Sequence, residues 1–146
     1  GNDEKFISEV QKIIATSCFS LKRWDRACEY YRKLCERFPD NLDMLFRLAI
    51  SQRRAGKKED SLENFTALVK KLAPGSNDWW NARCEQVELL IELGKIDEAK
   101  KILSEEFGEG GGRYKGPVEL KPRFEEAFKK LGKDPSDKEK EEKKEN

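Results

Sequence analysis

Three small residues, Ala27, Ser61 and Ala99, restrict this chain to one kind of architecture. Ser61 follows Ala27 by 34 residues, and Ala99 follows Ser61 by 38. Each stands early in a helix-sized apolar pattern, behind a Gly- or Lys-rich turn that closes an earlier helix-sized pattern. A period of this length means helical hairpins stacked side by side. One hairpin cannot bury its apolar faces alone, so a neighbour must cover them. The small residues have a steric role. Where two helices cross closely, a longer side chain would push the axes apart. The three positions therefore mark the tight contact inside each hairpin, and Tyr31, Phe65 and Leu103, each four residues on, fill the space beside it.

The hairpins follow in order. In the first, Phe6, Val10, Ile13, Ile14 and Phe19 recur at helical spacing and give helix one an apolar face. Leu21, Lys22 and Arg23 form the turn. Trp24, Ala27, Tyr30, Tyr31 and Leu34 belong to the second helix, which Pro39 stops. In the second hairpin Asp40 or Asn41 caps a helix carrying Leu42, Leu45, Leu48 and Ala49. Gly56 ends it in a left-handed conformation, and Ser61, Leu62, Phe65, Leu68 and Leu72 follow before Pro74 and Gly75. In the third, Ser76, Asn77 and Asp78 offer caps, Trp79 and Trp80 start the helix, and Gly94 ends it. Ile96, Ala99, Ile102, Leu103 and Phe107 form its partner. The four extra residues of the second interval fit the connection before Trp79, where added loop length costs little.

Residues 108–116 (GEGGGRYKG) have the composition of a flexible linker. No Gly-Lys-Ser/Thr follows and no strand precedes, so a phosphate-cradling loop is not indicated. Leu120, Phe124, Phe128 and Leu131 then describe one more amphipathic helix over residues 117–132, with Pro122 suited to its first turn and Gly132 to its end. It would cover the exposed end of the last hairpin. Residues 133–146 are nearly all charged, a disordered tail or an exposed helix with Ser136 and Glu139 as a capping box. The expectation is an all-α fold. It is a right-handed stack of three hairpins (about 4–39, 40–74 and 76–107, together 1–107) with a C-terminal capping helix.

Composition narrows the function. The 146 residues carry 30 basic against 29 acidic side chains, a net charge of +1, so no overall field selects nucleic acid or an anionic membrane. No apolar run is long enough to span a bilayer. There is no histidine, which excludes Ser-His and Cys-His catalysis. No enzyme activity and no cofactor are expected. Cys18, Cys28, Cys35 and Cys84 show no CxxC spacing. Cys28 and Cys35 lie about 10 Å apart along one helix, too far for a disulfide. Buried thiols are the simpler reading, with no metal site, and they favour a reducing, cytoplasmic setting. The chain begins at Gly1 and its only methionine is Met44. An initiator is therefore missing, a removed leader peptide stays open, and the chain reads as the C-terminal module of a larger protein.

The order Leu45, Leu48, Ala49, Gly56, Ser61, Phe65, Pro74 resembles a tetratricopeptide repeat, as does Trp24, Ala27, Tyr31, Pro39. The run Gly94-Lys95-Ile96-Asp97-Glu98-Ala99 is similar to that family's turn and second-helix start. The resemblance covers about residues 4–107. It departs at Gln11, Arg83 and Gln86, where the family prefers large apolar side chains. It implies a non-catalytic protein-interaction scaffold, monomeric or weakly self-associating, that binds a peptide or partner helix on a concave face lined by the first helix of each hairpin.

On that basis the first hairpin would contribute Lys12, Thr16 and Phe19. The second would contribute Phe46, Arg47, Ile50, Arg53 and Arg54, and the third Asn81, Cys84, Glu85, Glu88 and Glu92. The stripe passes from arginines to glutamates, which suits a partner segment of mixed charge. Some members clamp a chaperone's terminal carboxylate. Here Lys12 matches one clamp position, but Thr16 and Arg47 replace asparagines and Glu85 replaces a cation, so that function is rejected. Trp79 and Trp80 are adjacent on one helix and cannot both point fully inward, so one of them is expected to be partly exposed and open to an interface. Two alternatives stand beside this reading. A helical-repeat RNA binder would need a basic, base-reading face, which the glutamates oppose. A structural module would oligomerise through an exposed apolar end.

Overall fold

A computed structural model describes residues 1–108 and 113–132 of the chain. Residues 109–112 of the expected linker and the charged tail 133–146, with its Ser136–Glu139 capping box, lie outside the described residues. Among the described residues the fold is all-α, with no strand. The helices are α1 (Asn2–Ser20), α2 (Trp24–Arg37), α3 (Leu42–Arg54), α4 (Lys58–Lys71), α5 (Asn77–Glu92), α6 (Ile96–Phe107) and α7 (Lys121–Leu131), the last preceded by a 3₁₀ turn at Val118–Leu120. The chain divides into two compact units, Gly1–Pro74 and Gly75–Asn146.

The hairpin turns are built alike. In each, the backbone N–H of one residue reaches three residues back and the next N–H reaches five back, to the last exposed carbonyls of the preceding helix. The pairs are Lys22 to Phe19 and Arg23 to Cys18, Gly56 to Arg53 and Lys57 to Gln52, and Gly94 to Ile91 and Lys95 to Leu90. This closure needs a left-handed residue at its centre. Gly56 has φ +83° and Gly94 has φ +76°. In the first turn the same conformation is held by Lys22, at φ +57°, against the steric preference of a side chain bearing Cβ. Caps fall where the side chains allow. Asn41 Oδ1 accepts from the Met44 N–H at 3.0 Å, and Ser76 Oγ accepts from the Trp79 N–H at 3.2 Å.

In the first unit α2 packs between α1 and α3, and α4 closes on α3. Ala15, Cys18, Ala27, Cys28, Tyr31, Leu34 and Leu48 form the centre of its core. Ala27 and Ser61 are fully buried, and Ser61 Oγ donates to the Ala49 carbonyl at 2.7 Å across the α3–α4 contact. The small residue thus permits close approach and also satisfies a backbone acceptor there. The first helix differs from expectation. Ala15 and Cys18 face the core with Ile14 and Phe19 beside them, whereas Phe6 and Ile13 are 70% and 66% exposed and Val10 and Leu21 are exposed as well. Helix α1 therefore has two apolar sides, and only one is used within the unit.

The core of the second unit is aromatic. Phe107 at the end of α6 meets Trp80, Tyr114, Phe124 and Phe128 with ring centroids 4.9–5.9 Å apart. Such edge, tilted and stacked pairings each add to plain area burial. Gly116 is required here, since a Cβ would come within 2.9 Å of the Trp80 ring and closer still to Tyr114. The expectation of a partly exposed tryptophan is corrected. Trp79 and Trp80 are only 7% and 9% exposed. Their rings meet edge to face at 4.9 Å, Tyr114 and Phe124 lie against Trp80, and the Arg83 guanidinium covers Trp79 at 5.6 Å. Two neighbours on one helix are both buried because different groups arrive on the two sides.

Arg83 and Gln86, polar at positions the repeat pattern would make apolar, are accommodated as a pair. Arg83 donates to Gln86 Oε1 and to Glu106 Oε1, both at 3.0 Å. The carboxylate comes from α6, so the ion pair ties the two helices of the hairpin together.

Candidate functional site

The first-helix residues of the first unit are placed by α1 and α3. Arg47 joins three elements. Its Nε lies 3.8 Å from Asp43, its Nη1 donates to the Tyr31 hydroxyl at 3.4 Å, and its guanidinium lies 5.1 Å from the Phe19 ring centroid. Phe46 turns toward α4 and meets the buried Phe65 ring edge-on at 5.6 Å. Lys12 leans along its own helix to Glu9 at 3.2 Å and lies over the Phe38 ring at 4.9 Å. Ile50 and Arg53 are half-buried, and Thr16 and Arg54 are exposed. The structure thus gathers Phe19, Tyr31 and Arg47 into one cluster. Lys12 is drawn away to the end of α2.

In the second unit the corresponding residues have a different fate. Helix α7 lies chiefly against α5, the first helix of its hairpin, and less against α6. From α7, Arg123 Nε donates to Glu88 Oε2 at 3.0 Å, and its Nη2 donates to Glu85 Oε1 at 3.2 Å and also to Glu88 Oε1. This fork takes both carboxylates at once. The hydrogen bond to Glu88 raises the guanidinium's pKa further, with burial opposing it, so the charge persists. Glu85 and Glu88, expected to face a partner, are thus held by a cation of the same chain. Cys84 is buried at 1% exposure. Asn81 donates from Nδ2 to the Asn77 carbonyl at 2.9 Å, and Glu92 is exposed. Arg123 is the residue that sequence reading missed. Its only signal was a cation beside the apolar stripe of α7, and nothing in sequence linked it to residues 35 and 38 positions earlier.

The four cysteines are free thiols. Burial pushes the Cys35 thiol up to about 11. Burial also raises Cys28, with Lys57 and Arg32 pulling partly the other way. Both stay protonated near neutral pH, where a thiolate would be needed for nucleophilic work.

Paired helices with closed left-handed turns, small residues at the crossings and a 34-residue period define a helical-repeat protein. The tetratricopeptide repeat matches the chain twice, over residues 8–51 and over residues 43–76. Residues 8–76 are therefore tetratricopeptide repeats. No curated protein matches the chain. Repeats of this family generally mediate protein–protein interactions and typically act as non-catalytic scaffolds. No helix among the described residues is long and apolar enough to cross a membrane.

Proposed function

We propose that the chain is a non-catalytic interaction module whose first unit takes a protein segment along the first-helix side of α1 and α3. The observation that carries this is the coincidence of the matched repeats, residues 8–76, with a first-helix surface whose Arg53 and Ile50 are half-buried and whose Thr16 and Arg54 are exposed. The cations there favour a segment with acidic side chains set among apolar ones, laid down as a strand or a helix. The acidic half of the expected stripe supports this narrowing, since Arg123 already neutralises Glu85 and Glu88.

Affinity capture with the intact chain, alongside an Ile50→Glu, Arg53→Glu variant, tests the reading. A partner lost with the variant, whose circular dichroism and melting temperature match the intact chain, is the expected result. An unchanged set of captured proteins would remove the surface from consideration.

One observation favours a second reading, assembly of copies through α1. Val10 and Leu21 stand 34 residues before Met44 and Ala55, which pack into the core that α2 shares with α3. The exposed side of α1 is therefore the side that its repeat partner α3 buries. Sedimentation across a concentration series should show dimers that Phe6→Ser with Ile13→Ser abolishes. A monomer at every concentration would end that reading.

A further inference from the structure

In the first unit a groove of about 480 Å³ opens beside the α1–α2 turn, lined among others by Lys22, Arg23, Trp24, Asp25, Arg26 and Arg54. Four cations face one carboxylate. All four cations are exposed, and none has an ion pair among the described residues.

The chain's own repeats show that this concentration of charge is not what the turn requires. The residues equivalent to Lys22 are Gly56 and Gly94, and those equivalent to Arg26 are Asp60 and Glu98. At the first of these positions the backbone is left-handed in every turn, so glycine is the unstrained choice and Lys22 is the strained one. The second position is the third residue of the second helix. Asp60 and Glu98 favour the positive end of the helix dipole there, and Arg26 opposes it. Twice the chain departs from its own pattern at a cost in stability, and both departures place a cation in the same groove. A local rule broken repeatedly at one place without structural return marks a site kept for binding.

We propose that this groove binds an acidic peptide segment of a protein partner. Lys22, Arg26 and Arg54 take its carboxylates, and the half-buried Trp24, held edge-on to Phe19 at 5.4 Å, receives the apolar stems between them. A nucleic acid fits less well. One indole already engaged with a neighbour offers no row of stacking platforms, and the cations cluster at a single turn instead of tracking a backbone. This surface lies at the turn edge and shares only Arg54 with the first-helix surface proposed above, so Lys22→Gly and Arg26→Glu test it separately.

The test is fluorescence polarisation of the full chain with a labelled peptide of alternating glutamate and aspartate, and with single-stranded RNA of similar length. The variants are Lys22→Gly, Arg26→Glu and, as a control that leaves the turn untouched, Arg54→Ala. The first two restore residues that the chain uses at its other turns, so they are expected to melt higher than the intact protein. Lost binding then cannot reflect unfolding. Each variant is expected to weaken the peptide by about tenfold, with affinity falling steeply with salt. Undiminished binding by the variants, no binding by the intact chain, or RNA bound more tightly than the peptide and lost with the same substitutions would each overturn the proposal.

Discussion

The two units use the same hairpin and treat its first helix in opposite ways. In the first unit the element following the hairpin is α3, and it packs on α2, the second helix. In the second unit the following helix is α7, and it packs chiefly on α5, the first helix. The first arrangement leaves Thr16 and Arg54 exposed. The second brings Arg123 onto Glu85 and Glu88 and buries Cys84. A face that a repeat pattern marks as open is thus open or occupied according to where the next helix docks, and that docking depends on which side of the hairpin is richer in apolar surface. In the second unit Trp80 and Phe107 supply that surface and draw Phe124 and Phe128 to it.

The sharpest way to break this contrast is to remove its aromatic anchor. Phe107→Ala should cost about 3–5 kcal/mol, because a fully buried ring touching four others leaves a cavity that rigid neighbours cannot fill. Urea unfolding followed by tryptophan emission should show Trp79 and Trp80 shifting to the red at lower denaturant. An unshifted midpoint would mean that α7 is held by something other than this cluster. Next in size, Ala99→Leu should overpack the α5–α6 crossing and destabilise by about 1–3 kcal/mol. Ala99 is fully buried, and little or no drop in melting temperature would refute the claim that small residues set that crossing.

Arg123→Ala should cost less, about 1 kcal/mol, since the pair is partly solvated and its loss leaves two neighbouring carboxylates only half-buried. The destabilisation should shrink as salt is raised. The variant should also gain affinity for a basic peptide, read by polarisation, because Arg123 no longer neutralises Glu85 and Glu88. No such gain would show that α7 covers this face by packing alone.

The smallest effect compares the cysteines of the two units. Cys35 is half-buried with its pKa near 11, so only about one thiol in a thousand is ionised at pH 8. Because the raised value lies above the working range, its alkylation should climb about tenfold per pH unit from pH 8 towards pH 10. Cys84 is almost fully covered and should label only when the second unit opens. Mass spectrometry of iodoacetamide-treated protein separates the two. Labelling of Cys35 that is flat with pH would contradict the shift.

Much of the fold was legible because its causes are local. The period, the left-handed glycines at Gly56 and Gly94, the small residues at the crossings and the presence of caps before α3 and α5 each follow from what one residue type can do at one backbone position. The structure chose Asn41 over Asp40 and Ser76 over Asn77 and Asp78. The tetratricopeptide kinship followed from the same residues. Other features were not legible. Sequence spacing assigned α1 one apolar face, but it cannot say which of two apolar sides a neighbour will cover. It exposed one of Trp79 and Trp80 because it counted only the helix they share. It offered Glu85 and Glu88 to a partner because Arg123 lies 38 and 35 residues away and meets them only once α7 has docked.

The amino-acid sequence by itself determined where helices begin, end and cross, since backbone sterics, capping and side-chain size act over a few residues. Only the tertiary structure decided which charges are spent within the chain. An ion pair between distant residues has no local signature, and its existence rests on the docking of an aromatic core that neither partner residue belongs to.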